Sequence, residues 1–345
     1  MGTLKNTLKE ILKPFPRKYA KRILQNQLLN VVDAGAANGL IPHWQTIDGF
    51  AQVFGFEPHP EACTRLQAKY NQSRYAHLYK AIPTGLSRHG GAATLYVLNQ
   101  PTGSSLLPVN MDSPDVHPND PYIFPIKELS IQTESLEQAL DKEQIAAADM
   151  VKLDIQGAEL EVLLGMGKHY LDKLLCAELE VGFKSIYKNA PRPPDVEQAL
   201  AEYGFELFDL NLAHTPAKYK GDPEYYLHKL GVRPEKNRVN GLLVECDMVF
   251  FKQPGIVLNS GDAQWLRRYI AALCVYNFFT HALSMAQQAA DRSLFSTAEQ
   301  QEIEQAVIGW SRIYRRLGHR SFLRGWYNAW GNMTKHFKHG TWGNH

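Results

Sequence analysis

The chain has 345 residues, 44% of them hydrophobic and 21% charged, proportions of an ordinary globular protein with room for one large domain and an appended unit. Its four cysteines, Cys63, Cys176, Cys246 and Cys274, lie far apart without disulfide-framework or zinc-ligand spacing, so a reducing, cytoplasmic setting is expected. The net charge of +2 argues against a uniformly basic nucleic-acid binder, and no apolar run is long enough to predict a bilayer span.

Residues 1–27 interleave lysines with single apolar residues, which predicts a basic amphipathic helical segment rather than a signal peptide. Short apolar runs ending in Gly or Pro predict strands over 28–35 and 50–58, with an amphipathic helix at 61–72 and a third strand at 75–82. Further strands are predicted at 93–99, 127–135, 149–157, 174–183, 205–210 and 241–251, with helices at 135–146, 159–172 and 194–204 among them. This alternation over 28–254 is the pattern of a doubly wound α/β domain. After Pro254 the pattern turns helical. One long helix is predicted over 261–292; a second opens on a capping box, Ser296 to Glu299, carries Ile303, Val307, Trp310, Tyr314 and Leu317 on one face, and stops at Gly318. Residues 255–345 therefore read as a helical C-terminal appendage with a basic aromatic tail, its apolar stripes suited to internal packing or to a homodimer face.

Charge is segregated along the chain. Residues 1–30 carry seven Lys/Arg and one acid, residues 311–345 seven and none, and the body between is acidic. The ends either fold back on that body or associate weakly with an anionic membrane surface; Trp326, Trp330 and Trp342 favour a membrane interface over nucleic acid, and no nucleic-acid partner is expected.

The stretch Asn30–Leu40, NVVDAGAANGL, leads a buried strand into a run of small residues. At the carboxyl end of the first strand of an open α/β sheet, small residues let the backbone approach a ligand, and a following helix N-terminus offers N–H groups. Gly35 and Gly39 are present, but Leu40 stands where a dinucleotide fingerprint needs its last glycine, which counts against NAD. Asp33 can meet a cationic group, and Glu57, before Pro58 at the end of the second strand, can accept two ribose hydroxyls. An amino-acid-bearing adenosine fits both. The alternatives are a tight packing turn and a strand-ending Glu57-Pro58 corner.

In order and spacing, VVDAGAANG, GFEPHP, GLSRHGGAATLYVLNQPTGSSLLP, VKLDIQGAELEVLLGM, ELEVGFKSIYKNAPRPPDVEQALAEYGFELFDL and GLLVECDMVFF resemble the FkbM-type S-adenosylmethionine-dependent methyltransferase family over residues 28–252. The KLDIQGAELEVLLG block, with Glu180, Phe183 and Tyr187 after it, is the most specific part. The first loop departs from the family's usual Asp-x-Gly-Ala-Asn-x-Gly, with Ala37 in the Asn position and Asn38 after it.

The resemblance implies a Rossmann-like class I methyltransferase fold, a mostly parallel seven-stranded sheet with helices on both faces, with S-adenosylmethionine as cofactor. Gly35, Ala36 and Asn38 would cradle the methionine and ribose part, Asp33 would lie near its ammonium, and Glu57 with Pro58 would face the ribose. Ser104 and Ser105 either bind the cofactor or cap a helix. Asp154, leaving a buried strand at the sheet's ligand edge, is the first candidate beside both the cofactor and the transferred methyl, and Glu180 the second. Glu159 joins them as a catalytic candidate or serves as a first-turn acid. Lys152 and Asp154 alternate with Val151 and Leu153 and can pair on one face.

His43, His59 and His117 are further bases within reach or solvated side chains. Asp112, Asp115 and Asp120 have no metal-box spacing, and no metal is predicted. The irregular segment 211–240 is a lid or an Ω-loop. The implied reaction is O-methylation of a hydroxyl on a carbohydrate, glycan or secondary metabolite. The alternatives are N-methylation, or a non-catalytic nucleoside-binding adaptor that uses its helices for assembly.

Overall fold

The computed structural model describes residues 16–40, 44–116, 123–215, 229–231 and 241–313. The chain enters through α1, Arg17–Ile23, and then builds β1, Leu29–Ala34, and β2, Ala51–Phe56. Helix α2, Pro60–Tyr70, leads to β3, Tyr79–Ile82; β4, Gly85–Leu86, β5, Gly91–Leu98, and β6, Pro125–Glu134, follow. After α3, Leu136–Lys142, comes β7, Met150–Leu153; α4, Glu159–Leu164, and α5, Gly167–Lys173, connect it to β8, Cys176–Gly182. Helix α6, Pro193–Ala201, precedes β9, Phe205–Thr215, and β10, Leu242–Lys252.

Seven strands form one sheet in the order β3-β2-β1-β7-β8-β10-β9. All neighbours from β3 to β8 are parallel, and β10 runs antiparallel to β8 and β9. Strand order therefore reverses between β1 and β7, and the crevice outside their carboxyl ends is the place for a ligand in such a sheet. The strands predicted at 93–99 and 127–135 do not join it. They pair as β5 and β6 in a separate three-stranded sheet with β4.

Both faces of the large sheet are buried, which explains why its strands read as continuous apolar runs. Val31, Val53, Met150, Cys176 and Phe251 face one core, while their neighbours Val32, Phe54, Val151, Ala177 and Phe250 face the other. Leu136, Leu140, Val162, Leu171 and Val196 from α3 to α6 close the second core.

The first core is closed chiefly by the C-terminal helices. These are α7, Pro254–Asn259, α8, Ala263–Val275, α9, Phe279–Asp291, and α10, residues 297–313. The region expected as an appendage thus shares one continuous core with β1, β2, β7, β8 and β10. Helix α8 is buried from Tyr269 through Val275, as a helix apolar on all sides must be. Its Asp262 cap accepts from the Gln264 and Trp265 N–H groups at 2.8 and 3.0 Å.

The single helix predicted over 261–292 is two. Asn277 takes a left-handed φ of 68°, a conformation that Asn tolerates better than most side chains and that ends a right-handed helix. The helix predicted at 159–172 likewise divides around Gly165–Gly167 into α4 and α5. The Ser296–Glu299 capping box forms as read: Ser296 N–H donates to Glu299 at 2.9 Å and Glu299 N–H to Ser296 Oγ at 3.3 Å. Ile303, Val307 and Trp310 are buried; Tyr314, Leu317 and the tail tryptophans lie outside the described residues, as do residues 1–15 and most of 216–240. Among the described residues no helix is long and apolar enough to cross a membrane.

Candidate active site

The ligand edge begins with backbone bonds that join three strand ends. Gly35 N–H donates to Phe56 O at 3.1 Å, and Asp154 N–H donates to Ala34 O at 3.1 Å. Gly35 takes φ +79°, and a Cβ there would lie 2.9 Å from the Asp154 carbonyl carbon and closer still to its oxygen. Only glycine lets the loops after β1 and β7 meet so tightly. Instead of the expected helix, β1 leads into a single 3-10 turn, Ala36–Asn38, which closes on Gly39. Ala36 is buried against the first core, and the Asn38 side chain lies outside the described residues.

Glu57 follows β2 and faces this turn. Its buried carboxylate accepts the His59 N–H at 2.9 Å and the Ala37 N–H. Burial raises its pKa above the usual carboxylate range, against the pull of those two N–H groups. A carboxylate has about four lone-pair sites, so acceptor capacity remains for a diol. Pro58 and His59 are exposed beside it, with Pro58 next to Gly85. Asp33, 2% exposed, is pushed up to about 7 by burial, opposed by Lys152.

Across the sheet, register sets Asp33 beside Lys152 and Lys152 beside Glu178. Side chains alternate along a strand, so these three and the later Asp154 and Glu180 share one face. The alternation read in the sequence gives the ion pair it suggested: Lys152 Nζ lies 3.1 Å from Asp154 Oδ2. Burial alone would discharge the Lys152 ammonium, but Asp154, Asp33 and Glu178 around it hold its pKa above the ordinary value. Burial also works against the Asp154 carboxylate, yet Lys152 and hydrogen bonds from Glu180, Lys152 and Gln156 keep its pKa low. Glu180 goes the other way, pushed up to about 10 by burial and then by Asp154. The two acids are thus driven in opposite directions, Asp154 toward its ionised form and Glu180 toward its protonated form.

Gln156 and Tyr187, which carried no site role in the sequence, hold this pair. Gln156 Nε2 donates to Asp154 Oδ1 at 3.0 Å and to Glu180 Oε2 at 2.7 Å. Tyr187 Oη lies 3.0 Å from Gln156 Oε1 and 2.7 Å from Gly103 O. Farther down the face, Tyr276 Oη donates to Glu178 at 2.6 Å and accepts the Trp44 indole N–H at 2.9 Å. The only sequence signals for these were the family pattern at Tyr187 and an amide inside a Gly-containing loop.

Other candidates fall elsewhere. Glu159 is buried, and its carboxylate accepts the Ile155 N–H at 2.9 Å and the Gly157 N–H at 2.9 and 3.0 Å. It closes the loop after β7, with its pKa raised to about 7 by burial. Ser105 Oγ donates to Gln156 O at 2.6 Å and accepts the Leu107 N–H at 2.9 Å; Ser104 Oγ accepts the Leu98 N–H at 3.2 Å. Asp112 pairs with Lys188 at 3.3 Å and Asp115 with Lys184 at 3.0 Å. Among the described residues no cluster of three or more His, Cys, Asp or Glu side chains could hold a metal ion. His43, His117 and Asp120 lie outside the described residues.

A turn tight enough to require Gly35, flanked by Asp33 and a Glu57 with acceptor capacity to spare, fits a nucleoside that carries a cationic amino-acid group. The model of the methyltransferase FkbM domain matches residues 33–207, more than half of the chain and all of the strand ends just described. No protein of curated function matches the sequence.

Among solved structures, a precorrin-6y C5,15-methyltransferase from Geobacter metallireducens GS-15 is 9% identical, with 69% of this chain and 86% of that chain covered at a TM-score of 0.33. A 16S rRNA (adenine(1408)-N(1))-methyltransferase from Catenulisporales acidiphilia is 14% identical, covering 70% and 93% at 0.31. An rRNA methylase from Streptococcus thermophilus is 12% identical, covering 70% and 98% at 0.30. These superpositions are too loose to carry an argument, and the assignment rests on the family match. The chain belongs to the FkbM methyltransferase family and takes its methyl group from S-adenosylmethionine.

Proposed function

We propose that the enzyme O-methylates a hydroxyl of a carbohydrate, glycan or similar small polyol. The observation that carries this reading is the acid pair at the ends of β7 and β8, where Lys152 Nζ lies 3.1 Å from Asp154 and the Gln156 amide reaches Asp154 at 3.0 Å and Glu180 at 2.7 Å. S-adenosylmethionine supplies, when bound, an electrophilic methyl on a sulfonium that is already a good leaving group. The chain's own task is orientation, exclusion of water and removal of one proton.

Glu57 would receive the ribose hydroxyls, the Gly35–Gly39 turn would hold the methionine side of the ligand, and Asp33 would lie toward its ammonium. Asp154 would take the proton of the acceptor hydroxyl and so free that oxygen's lone pair for the methyl that the bound cofactor supplies. Lys152, 3.1 Å from Asp154, keeps the carboxylate ionised and ready for the proton. Glu180, driven toward its protonated form, gives its hydrogen bond to Asp154 and helps to hold that carboxylate in place. Glu159 fixes the Ile155–Gly157 backbone through which Asp154 is presented, a positioning role.

The test is transfer from methyl-labelled S-adenosylmethionine to matched panels of glycosides, polyols and amines. Label should enter hydroxyl compounds, and Asp154→Asn should lower the rate by about 10²–10⁴-fold. Transfer to amines alone, or an unimpaired Asp154→Asn enzyme, would overturn the reading. A folded chain that binds S-adenosylhomocysteine but methylates nothing in extracts of its source cells would favour the adaptor instead.

A further inference from the structure

We infer that Gln156 is a positioning residue whose side-chain amide clamps Asp154 and Glu180 together and, through Tyr187 and Ser105, ties them to the loop that carries Gly103. The inference rests on the reading of Asp154 as the proton acceptor. It starts from backbone geometry. Gln156 has φ +64° and Gly157 φ +103°. A left-handed conformation is unfavourable for a residue with a Cβ, so such a residue stays there when its surroundings hold it.

The surroundings here are specific. The Gln156 backbone carbonyl accepts from the buried Ser105 hydroxyl at 2.6 Å. The next residue is wedged between Leu107, Tyr187 and Ala190, each 3.2–3.4 Å from where a Cβ of Gly157 would lie.

The side chain's polar atoms are all engaged. An amide nitrogen has two protons, and Nε2 has two carboxyl partners, Asp154 at 3.0 Å and Glu180 at 2.7 Å. The amide oxygen lies 3.0 Å from the Tyr187 hydroxyl, and the two carboxyl partners favour the orientation that turns the amide nitrogen toward the acids. Gln156 therefore keeps no donor for an acceptor molecule, which is why its role is to position and not to bind.

An amide bridges two carboxyl groups by giving each an N–H without adding charge. Glutamate has the same length but would set a third carboxylate oxygen about 3 Å from two others, and like charges at that range drive proton uptake. The charges facing the pair offer little relief. Among the described residues, Lys152 on β7 is the cation that faces Asp33 on β1, Glu178 on β8, and Glu245 and Asp247 on β10. Glu159 on α4, the Tyr187 phenol and the Cys246 thiol on β10 are further titratable neighbours among the described residues.

The experiment is carbon-13 NMR of side-chain carboxyl groups in the full chain, titrated with and without S-adenosylhomocysteine, with Asp154→Asn and Glu180→Gln used for assignment. In the wild type, one carboxyl of the pair titrates low and the other high. In Gln156→Glu the cluster should hold an additional proton at neutral pH, with the upper titration moved up by at least about one pH unit, a tenfold change in proton affinity. Gln156→Met, which keeps the length without the donors, should raise the Asp154 titration, and Tyr187→Phe should move it the same way by less.

Superimposable titrations in Gln156→Met and the wild type, with melting temperatures alike, would overturn the inference. If Gln156→Glu does not fold, Gln156→Met and Tyr187→Phe decide the matter. The outcomes separate the two readings: an unimpaired Asp154→Asn enzyme removes the proton-acceptor role whatever the spectra show, whereas an inactive Asp154→Asn with unmoved spectra removes only the role of Gln156.

Discussion

Replacing Gly35 by alanine should damage stability and cofactor binding together, because one hydrogen atom at this Cα is all that separates the β1 and β7 loops. The φ of +79° costs a residue with a Cβ about 1–2 kcal/mol. The added carbon would lie 2.9 Å from the Asp154 carbonyl carbon and nearer its oxygen, and relieving an overlap of that kind in a packed interior costs about 1–3 kcal/mol more. The total is about 2–5 kcal/mol, equivalent to a drop of about 3–7 °C in melting temperature for a chain of this size. Relief requires the Asp154 backbone to move away from β1, and Asp154 N–H then strains its bond to Ala34 O, 3.1 Å long. Thermal melts and calorimetry with S-adenosylhomocysteine, run on the same samples, measure both effects. A melting temperature within 1 °C of wild type, with undiminished affinity, would refute the close approach as a requirement of the fold.

Two further outcomes follow from burial. Asp33 has a folded pKa of about 7 against an unfolded value near 3.9, so between those values the folded state binds more protons than the unfolded state. Its contribution is therefore fully present below about pH 4 and is lost as pH rises toward 7, a change on the order of 4 kcal/mol. Asp33→Asn should flatten the dependence of urea unfolding on pH across that window and gain on the wild type above pH 7; parallel curves would contradict the assignment. Deleting everything after Ser260 removes α8, α9 and α10 and bares one face of the large sheet. The shortened chain should show no cooperative melt, and a sharp transition would mean that the sheet does not depend on the helices.

The parts of the site legible in the sequence are those written in consecutive residues. The β-branched run into Asp33 and Gly35, the acid after β2, and the alternation of Val151 and Leu153 with Lys152 and Asp154 each carry their own signal. So does the capping box at Ser296. The parts that were not legible depend on residues far apart in the chain. Nothing near Gly35 announces that its neighbour is Asp154, and Gln156 gains its role from Glu180, Tyr187 and Ser105. The change to helical character after Pro254 suggested a separate unit. In the fold those helices supply the layer over β1 and β2, where the described residues between the two strands form short 3-10 turns and no α-helix. The break at Asn277 was masked by apolar residues that continue at helical spacing on both sides of it.

Equilibrium binding of S-adenosylhomocysteine to the full chain tests the central claim most directly. The folded protein should bind one equivalent. Glu57→Ala, which deletes a buried carboxylate facing the β1 turn, should weaken that binding by about tenfold or more. A folded chain that gives no saturable binding, or a Glu57→Ala variant of equal affinity, would contradict the account.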